Sequence, residues 1–381
     1  MDPTTFPGIP APFWFVELFK GIGFFLHLIP MHLWFAGLPL AIFALLAGGP
    51  QAKRYSRRMF IQMPIILAVG VNFAIVPLLF LQTAYYKSFY TATILAAWCW
   101  MAIIPLFLLA YYGVYLCSFS VKKHFATAEG EKAKKEVKAE KPAQPGKYKA
   151  VLVALAAWCC LVVVGMLITH ALTLMGKPEA WDSIWEQTQV GGAVTGLGTH
   201  LGDNELWLRL AGMFGLALIT TGFWAVFDSH ILMKEEAAYR KWTISFAARI
   251  TWIGLIVSIC AFSYYFWLLD GDEAMKFLFQ FPWCLFPMAV LFLPLLLSVL
   301  LASKQVLRPW FLFGLVLGEV GLLGSFVVMR QLIQNVQIGR FLQVELLPVS
   351  VQWSPLIAFL VVFAIGASVI TWIVRQIIHN S

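Results

Sequence analysis

Charge is what this sequence has least of. Asp, Glu, Lys and Arg make up 12% of its 381 residues, about half of the ~25% found in an ordinary soluble domain. A chain so poor in charge cannot cover a water-facing surface, which excludes a soluble globular domain. No Walker phosphate loop and no dinucleotide fingerprint stands in a usable context, so ATP-driven transport by this chain alone is not expected. The six cysteines (Cys99, Cys117, Cys159, Cys160, Cys260 and Cys284) form no C-x-x-C or C-x-x-C-H pair. That excludes covalently attached haem c and a zinc ribbon. All six lie in apolar runs and are expected to be buried small hydrophobes. The opening residues begin with Asp2 and carry four prolines but no basic stretch, so a cleavable signal peptide is not expected.

What is there in abundance is hydrophobic length. About nine apolar stretches, near 20–48, 60–85, 92–118, 149–176, 206–230, 246–269, 277–302, 309–330 and 354–377, fill most of the chain. Each is long enough to cross a hydrocarbon core of ~30 Å as a helix. Residues 10–19 are expected to form a short interfacial helix ahead of the first span. Many Trp and Tyr, among them Trp14, Tyr85, Tyr86, Trp207, Trp242, Trp310 and Trp353, fall at the ends of the runs, as interfacial belts require. The expectation is an all-α integral membrane protein, one domain over 1–381, with about nine transmembrane helices.

The net charge of +8 does not point to nucleic acid, because it resides mostly in alternate connections. Lys53, Arg54, Arg57 and Arg58 follow the first span, and a Lys-rich run, Lys122 to Lys149, follows the third. Lys234, Arg240, Lys241 and Arg249 follow the fifth, and Lys304 and Arg308 the seventh. The other connections carry Lys87, then Asp182, Glu186, Asp203 and Glu205, then Asp270, Asp272 and Glu273. The positive-inside rule puts the N-terminus outside and the C-terminus in the cytoplasm. It makes 121–148 a cytoplasmic, charged, mobile loop and 177–205, rich in Gly, an external loop that caps a site or meets a partner.

Function then rests on the few polar groups inside the spans, since each is costly there. The first span holds His27 and His32, the second Asn72, the fourth His170 and the eighth Glu319. Arg209 stands at the outer end of the fifth span, Asp228 and His230 at its inner end. Neutral imidazole is the common ligand of haem b iron in a helix bundle. His27 and His170 are expected at one depth in the outer third, as a bis-histidine haem requires. His32 lies about 7–8 Å deeper than His27 and about 140° around the helix, so the two do not share an iron. Each histidine equally suits a bond to a backbone carbonyl or a neighbouring helix. His230, His200, His124 and His379 lie in or beside water. Asn72 suits an interhelical hydrogen bond. Glu319, near mid-depth, is the candidate catalytic residue, as a protonatable relay, a weak iron ligand or a hydrogen-bond partner of a bound molecule; a structural, protonated role is the alternative.

At these residues the chain resembles subunit I of the cytochrome bd-type quinol oxidases, in a shortened, divergent form. That family also has nine spans and an outer N-terminus. Its opening histidine and apolar run are matched by FFLHLIPMHLWFAG, which aligns the high-spin haem ligand with His27, or with His32 in a shifted register. GVNFAIVPLLFLQ at 70–82 resembles the family's second span. Met288 follows Trp283 at the spacing of the family's low-spin haem methionine, and Glu319-Val320-Gly321 matches its Glu-x-Gly. The departures are as specific. Gly212 stands where the low-spin haem histidine would fall, the third span has no acid, Leu322-Leu323-Gly324-Ser325 replaces Arg-Gln-Pro-Trp, and no long quinol-binding loop separates spans six and seven.

The resemblance therefore implies a membrane electron-transfer subunit of a respiratory complex in a bacterial cytoplasmic membrane. It would bind haem b through His27, His32, His170 and Met288, with iron on His27 and His170, and take quinone as substrate. Its partners would be other subunits of the complex and an external cytochrome or iron–sulfur protein. Complete oxygen reduction is not expected. The alternative is a haem-free anchor or quinone-docking subunit. A proton-coupled transporter comes last, since no inverted repeat is evident.

Overall fold

The computed structural model describes residues 8–132, 145–232, 236–269, 282–303 and 309–379. Several expectations lie outside them: residues 133–144 of the charged 121–148 loop, whose two ends are helical instead, Lys234, the acidic connection with Asp270, Asp272 and Glu273, and the Lys304 and Arg308 connection. The side chains of His124 and His379 also lie outside the description.

The described chain is an all-α bundle. Its helices are α1 (Phe13–His32), α2 (Leu38–Ala47), α3 (Pro50–Ala84), α4 (Tyr86–Leu95), α5 (Ala97–Lys132), α6 (Pro145–Leu174), α7 (Glu179–Thr188), α8 (Asn204–Phe227), α9 (Ala237–Leu269), α10 (Pro282–Ser303), α11 (Pro309–Gly339) and α12 (Trp353–His379). Seven helical stretches are long and apolar enough to cross a membrane: Phe13–Ala47, Pro50–Ala84, Ala97–Val121, Lys149–Leu174, Asn204–Leu232, Ala237–Leu269 and Trp310–Gly339. Two shorter apolar helices, Phe286–Ala302 and Trp353–Val369, fall where the sequence places two more.

Two expected boundaries move. The separate interfacial helix at 10–19 is instead the start of α1. The third expected span, 92–118, is broken at Ala96. The break is held from outside, where Trp98 N–H donates to Gly196 O at 3.0 Å and Gly198 N–H to Leu95 O at 2.9 Å. The 177–205 loop thus supplies partners for backbone groups that a broken helix leaves open. That loop is itself ordered into α7 and a hairpin pairing Gln189–Val190 with Ala193–Val194. Gly191 and Gly192 both have positive φ, 61° and 78°, the backbone that a two-residue turn between strands demands.

Between α1 and α2 the chain makes a π-helical turn, Leu33–Gly37. Pro39 has no N–H to give to the carbonyl four residues back, so the helix ladder fails at Phe35 O. That oxygen accepts instead from Trp158 Nε1 of α6 at 3.0 Å. The turn begins one residue after His32 and closes the α1 segment that carries both histidines.

Apolar packing surrounds the centre. One buried cluster joins α1, α8, α9, α10 and α11 through Leu28, Leu216, Phe262, Phe286, Leu322 and Phe326. A second joins the π-helical turn and α2 to α3, α5 and α6 around Trp34, Met59 and Ala154. Close approach of α1 to α3 depends on Gly70, where a Cβ would lie 2.3 Å from the Trp34 ring. Small residues at such crossings let membrane helices touch backbone to backbone. The cysteines are less uniform than expected: Cys117 is buried, but Cys159 and Cys260 lie on exposed helix faces. A face turned to lipid accepts a small apolar side chain as readily as a core does.

Candidate functional site

Two of the polar groups expected inside the spans, His32 and Glu319, meet at the junction of α1, α8 and α11. His32, the last residue of α1, is fully buried, and Glu319 on α11 is 1% exposed. Thr220 on α8, also fully buried, stands between them. His32 Nδ1 lies 2.8 Å from Thr220 Oγ1, and Thr220 Oγ1 lies 2.7 Å from Glu319 Oε1, within hydrogen-bond distance. The far side of the ring is also engaged, with His32 Nε2 3.1 Å from Met213 Sδ. Glu319 Oε2 is buried and makes no hydrogen bond among the described residues. The next residue on α8, Thr221, bonds its own helix at Ala217 O, the usual choice for a helical threonine. Thr220 bonds across helices instead.

The other candidate ligands go elsewhere. His27 is half-buried, and its Nδ1 is 2.7 Å from Gly70 O of α3. With its proton on Nδ1 it donates to that carbonyl and leaves Nε2 bare. His170 is buried, but its Nε2 accepts the His200 backbone N–H at 2.9 Å, so its lone pair ties α6 to the 177–205 loop. Met288 on α10 is 68% exposed and faces away from the core. Asn72 does not bond another helix as expected: it is exposed, and its Nδ2 donates to Ala68 O, one turn back on α3. Its exposure leaves no neighbouring backbone within reach, so it satisfies itself locally. His230 likewise turns to Ser229 and Val226 O at the inner end of α8.

Several residues now seen to matter were not singled out. Thr220 and Met213 carry no sequence signal, because nothing along the chain distinguishes them from the other threonines and methionines. Two charged clusters had a signal in their spacing. Glu17 and Lys20 (i, i+3) pair on α1 and are joined by Tyr85, Gln331 and Asn335. Glu205 and Arg209 (i, i+4) pair at 2.8 Å on α8. Glu205 also takes Lys177 at 3.0 Å, Tyr265 and Gln337. Burial alone pulls the Lys177 ammonium down, but Glu205 and Asp203 outweigh it and raise its pKa above the ordinary lysine value. At the opposite end of α8 Arg58 grips Asp228 through two bonds, at 2.6 and 2.7 Å. These pairs hold helix ends together, since a lone charge there would be costly.

A six-coordinate haem is not built by the candidate ligands. His27 alone keeps the geometry of one axial ligand, with a backbone-held Nδ1 and a bare Nε2. His170 has given up its lone pair, and Met288 points outward. At Gly212, where the resemblance puts a histidine, a Cβ would lie 2.5–2.9 Å from the Phe262 ring. Phe262 packs in turn on Phe286 and Phe326, with ring centres 5.3 and 5.9 Å away. Aromatic rings fill the volume that a second ligand would need. Among the described residues no three His, Cys, Asp or Glu side chains gather to hold a metal ion.

The sequence matches no family model and no curated protein. Its fold is that of a cytochrome bd-type oxidase chain. It is similar to a chain in the structure of bd oxidase from Geobacillus thermodenitrificans, with a TM-score of 0.63 and 10% sequence identity. The match covers 98% of this chain and 100% of that one. At that identity the likeness speaks for the arrangement of the helices, and the chemistry must be argued from the residues here.

Proposed function

We propose that this chain is a quinone-linked membrane subunit of a respiratory redox complex, in which Glu319 takes up and releases a proton. The observation that carries the proposal is the buried His32–Thr220–Glu319 contact in a bundle of bd oxidase fold. A carboxyl inside a membrane bundle costs free energy unless it is neutral or paired. Here it meets a hydroxyl and, through it, the one kind of side chain that exchanges protons near neutral pH. Quinone reduction and oxidation move protons with electrons, so such a group belongs beside that chemistry.

In this proposal α10 and α12 complete nine spans, with the N-terminus outside, in a bacterial cytoplasmic membrane. The partners are other subunits of the complex and an external cytochrome or iron–sulfur protein that docks on the outer face. Electrons pass through cofactors that those partners hold, and this chain contributes the proton site and the scaffold. The bare Nε2 of His27 favours a second reading, in which that nitrogen would hold a haem b, which would supply one-electron transfer.

Glu319→Gln tests the first reading. Gln keeps the size and the acceptor for Thr220 but cannot titrate. Quinol-dependent reduction of the partner, in membranes with matched amounts of protein, is expected to fall at least about tenfold, or ~1.4 kcal/mol of barrier. Unchanged turnover rejects the proton role. A reduced-minus-oxidised spectrum decides the second reading: a b-type band in wild type that His27→Ala abolishes establishes the haem.

A further inference from the structure

We propose that Thr220 is the proton bridge between His32 and Glu319, and that Met213 fixes the end of the ring from which the bridge is fed. This rests on the reading of Glu319 as the proton-accepting group and names how that group is connected.

The hydrogens available to the four side chains limit which group donates to which. A thioether sulfur has no hydrogen and only accepts. Met213 Sδ lies 3.1 Å from His32 Nε2, too close for two facing lone pairs, so Nε2 carries a hydrogen. A neutral His32 then has Nδ1 bare. Thr220 has one hydroxyl hydrogen and two contacts, 2.8 Å to Nδ1 and 2.7 Å to Glu319 Oε1. Two arrangements satisfy all four groups. In the neutral one, protonated Glu319 donates to Thr220, Thr220 donates to Nδ1, and Nε2–H points at sulfur. In the charged one, Nδ1–H donates to Thr220, and Thr220 donates to the Glu319 carboxylate.

One passes to the other by two short moves. The Glu319 O–H breaks as a new Thr220 O–H forms, and the old Thr220 O–H breaks as Nδ1–H forms. Three hydrogens are present before and after, and the net charge stays zero. A proton arriving at Glu319 Oε2, the buried oxygen without a bond, then neutralises the carboxylate and leaves the positive charge on His32. One proton is taken up, and the contacts from His32 through Thr220 to Glu319 Oε1 are kept. All three side chains are at most 1% exposed. Separated charges there lose their hydration, so the neutral arrangement is the resting one.

Infrared spectroscopy of the purified chain in lipid nanodiscs reads the bridge directly. The carbonyl band of protonated Glu319 is identified as the band that Glu319→Gln removes. Thr220→Val keeps the shape but deletes the hydroxyl, and is expected to shift that band to higher frequency. Thr220→Ser restores the hydroxyl and is expected to return it. An unshifted band in Thr220→Val overturns the bridge, and absence of any Glu319 band in wild type overturns the neutral resting arrangement. Ring ¹⁵N resonances of His32 in the unaltered protein give a check that needs no bridge variant. They are expected to show hydrogen on Nε2 and bare Nδ1, with that preference lost in Met213→Leu; hydrogen on Nδ1 alone overturns the assignment. In the quinol assay Thr220→Val is expected to lose about tenfold and Thr220→Ser to stay within about twofold. Lost turnover in Glu319→Gln beside full turnover in Thr220→Val removes the bridge and leaves the function standing; full turnover in Glu319→Gln removes the function itself.

Discussion

Glu205→Gln probes the charged cluster around Glu205 and Arg209, and the size of its effect follows from the partners. The Glu205 side chain is 7% exposed and pairs with Arg209 at 2.8 Å and Lys177 at 3.0 Å. Asp203 is the second anion, so the cluster holds two cations and two anions. The substitution leaves it one positive charge in excess. Lys177 keeps Asp203, so the loss falls on Arg209, whose other partners among the described residues are the uncharged Tyr265, Thr173 and Gln337. Stripping a buried cation of its partner costs about 3–5 kcal/mol. Both side chains keep some solvent, at 20% exposure for Arg209, which places the expectation near ~3 kcal/mol. Equilibrium unfolding in mixed micelles measures it. Adding Arg209→Gln removes the stranded charge, so the double variant is expected to be less destabilised than the sum of the two singles. A cost below about 0.5 kcal/mol for Glu205→Gln, or strict additivity in the pair, would refute a buried cluster that holds the outer helix ends together.

Gly212→Ala is expected to cost about 1–3 kcal/mol through overpacking against Phe262, measured in the same assay; a neutral effect contradicts the filled aromatic core. The raised pKa of Lys177 gives a pH dependence of known sign. Its stabilisation is complete below the unfolded lysine pKa of about 10.4 and is lost as pH rises through the higher folded value. Unfolding curves of wild type and Lys177→Met are therefore expected to converge only in strong alkali, and convergence near neutrality contradicts the ion cluster. For topology, Val190→Cys and Lys135→Cys in a cysteine-free background are expected to label from opposite sides, Val190→Cys from outside; the reverse pattern overturns the orientation.

The membrane class, the helices and the positions of the polar outliers were legible along the chain. Hydropathy adds residue by residue over a ~20-residue window, so the runs that became α3, α6, α9 and α11 needed no knowledge of their neighbours. Glu319 was legible for the same reason, as a carboxyl amid Gly, Val and Leu. The bends were partly legible: Pro39 forecasts a failed ladder, but not that Trp158 would take the freed carbonyl.

Which polar groups meet was decided by the tertiary structure alone. A hydrogen bond between helices depends on the rotation and depth of both, and these are set by close crossings such as Gly70 under Trp34. A shift of one residue turns a side chain by about 100°. That is why His27 and His170, matched in depth by sequence, engage different partners, while Thr220, which nothing in the sequence marks, joins His32 to Glu319. Composition and periodicity are properties of single helices, whereas the site is a property of three packed together.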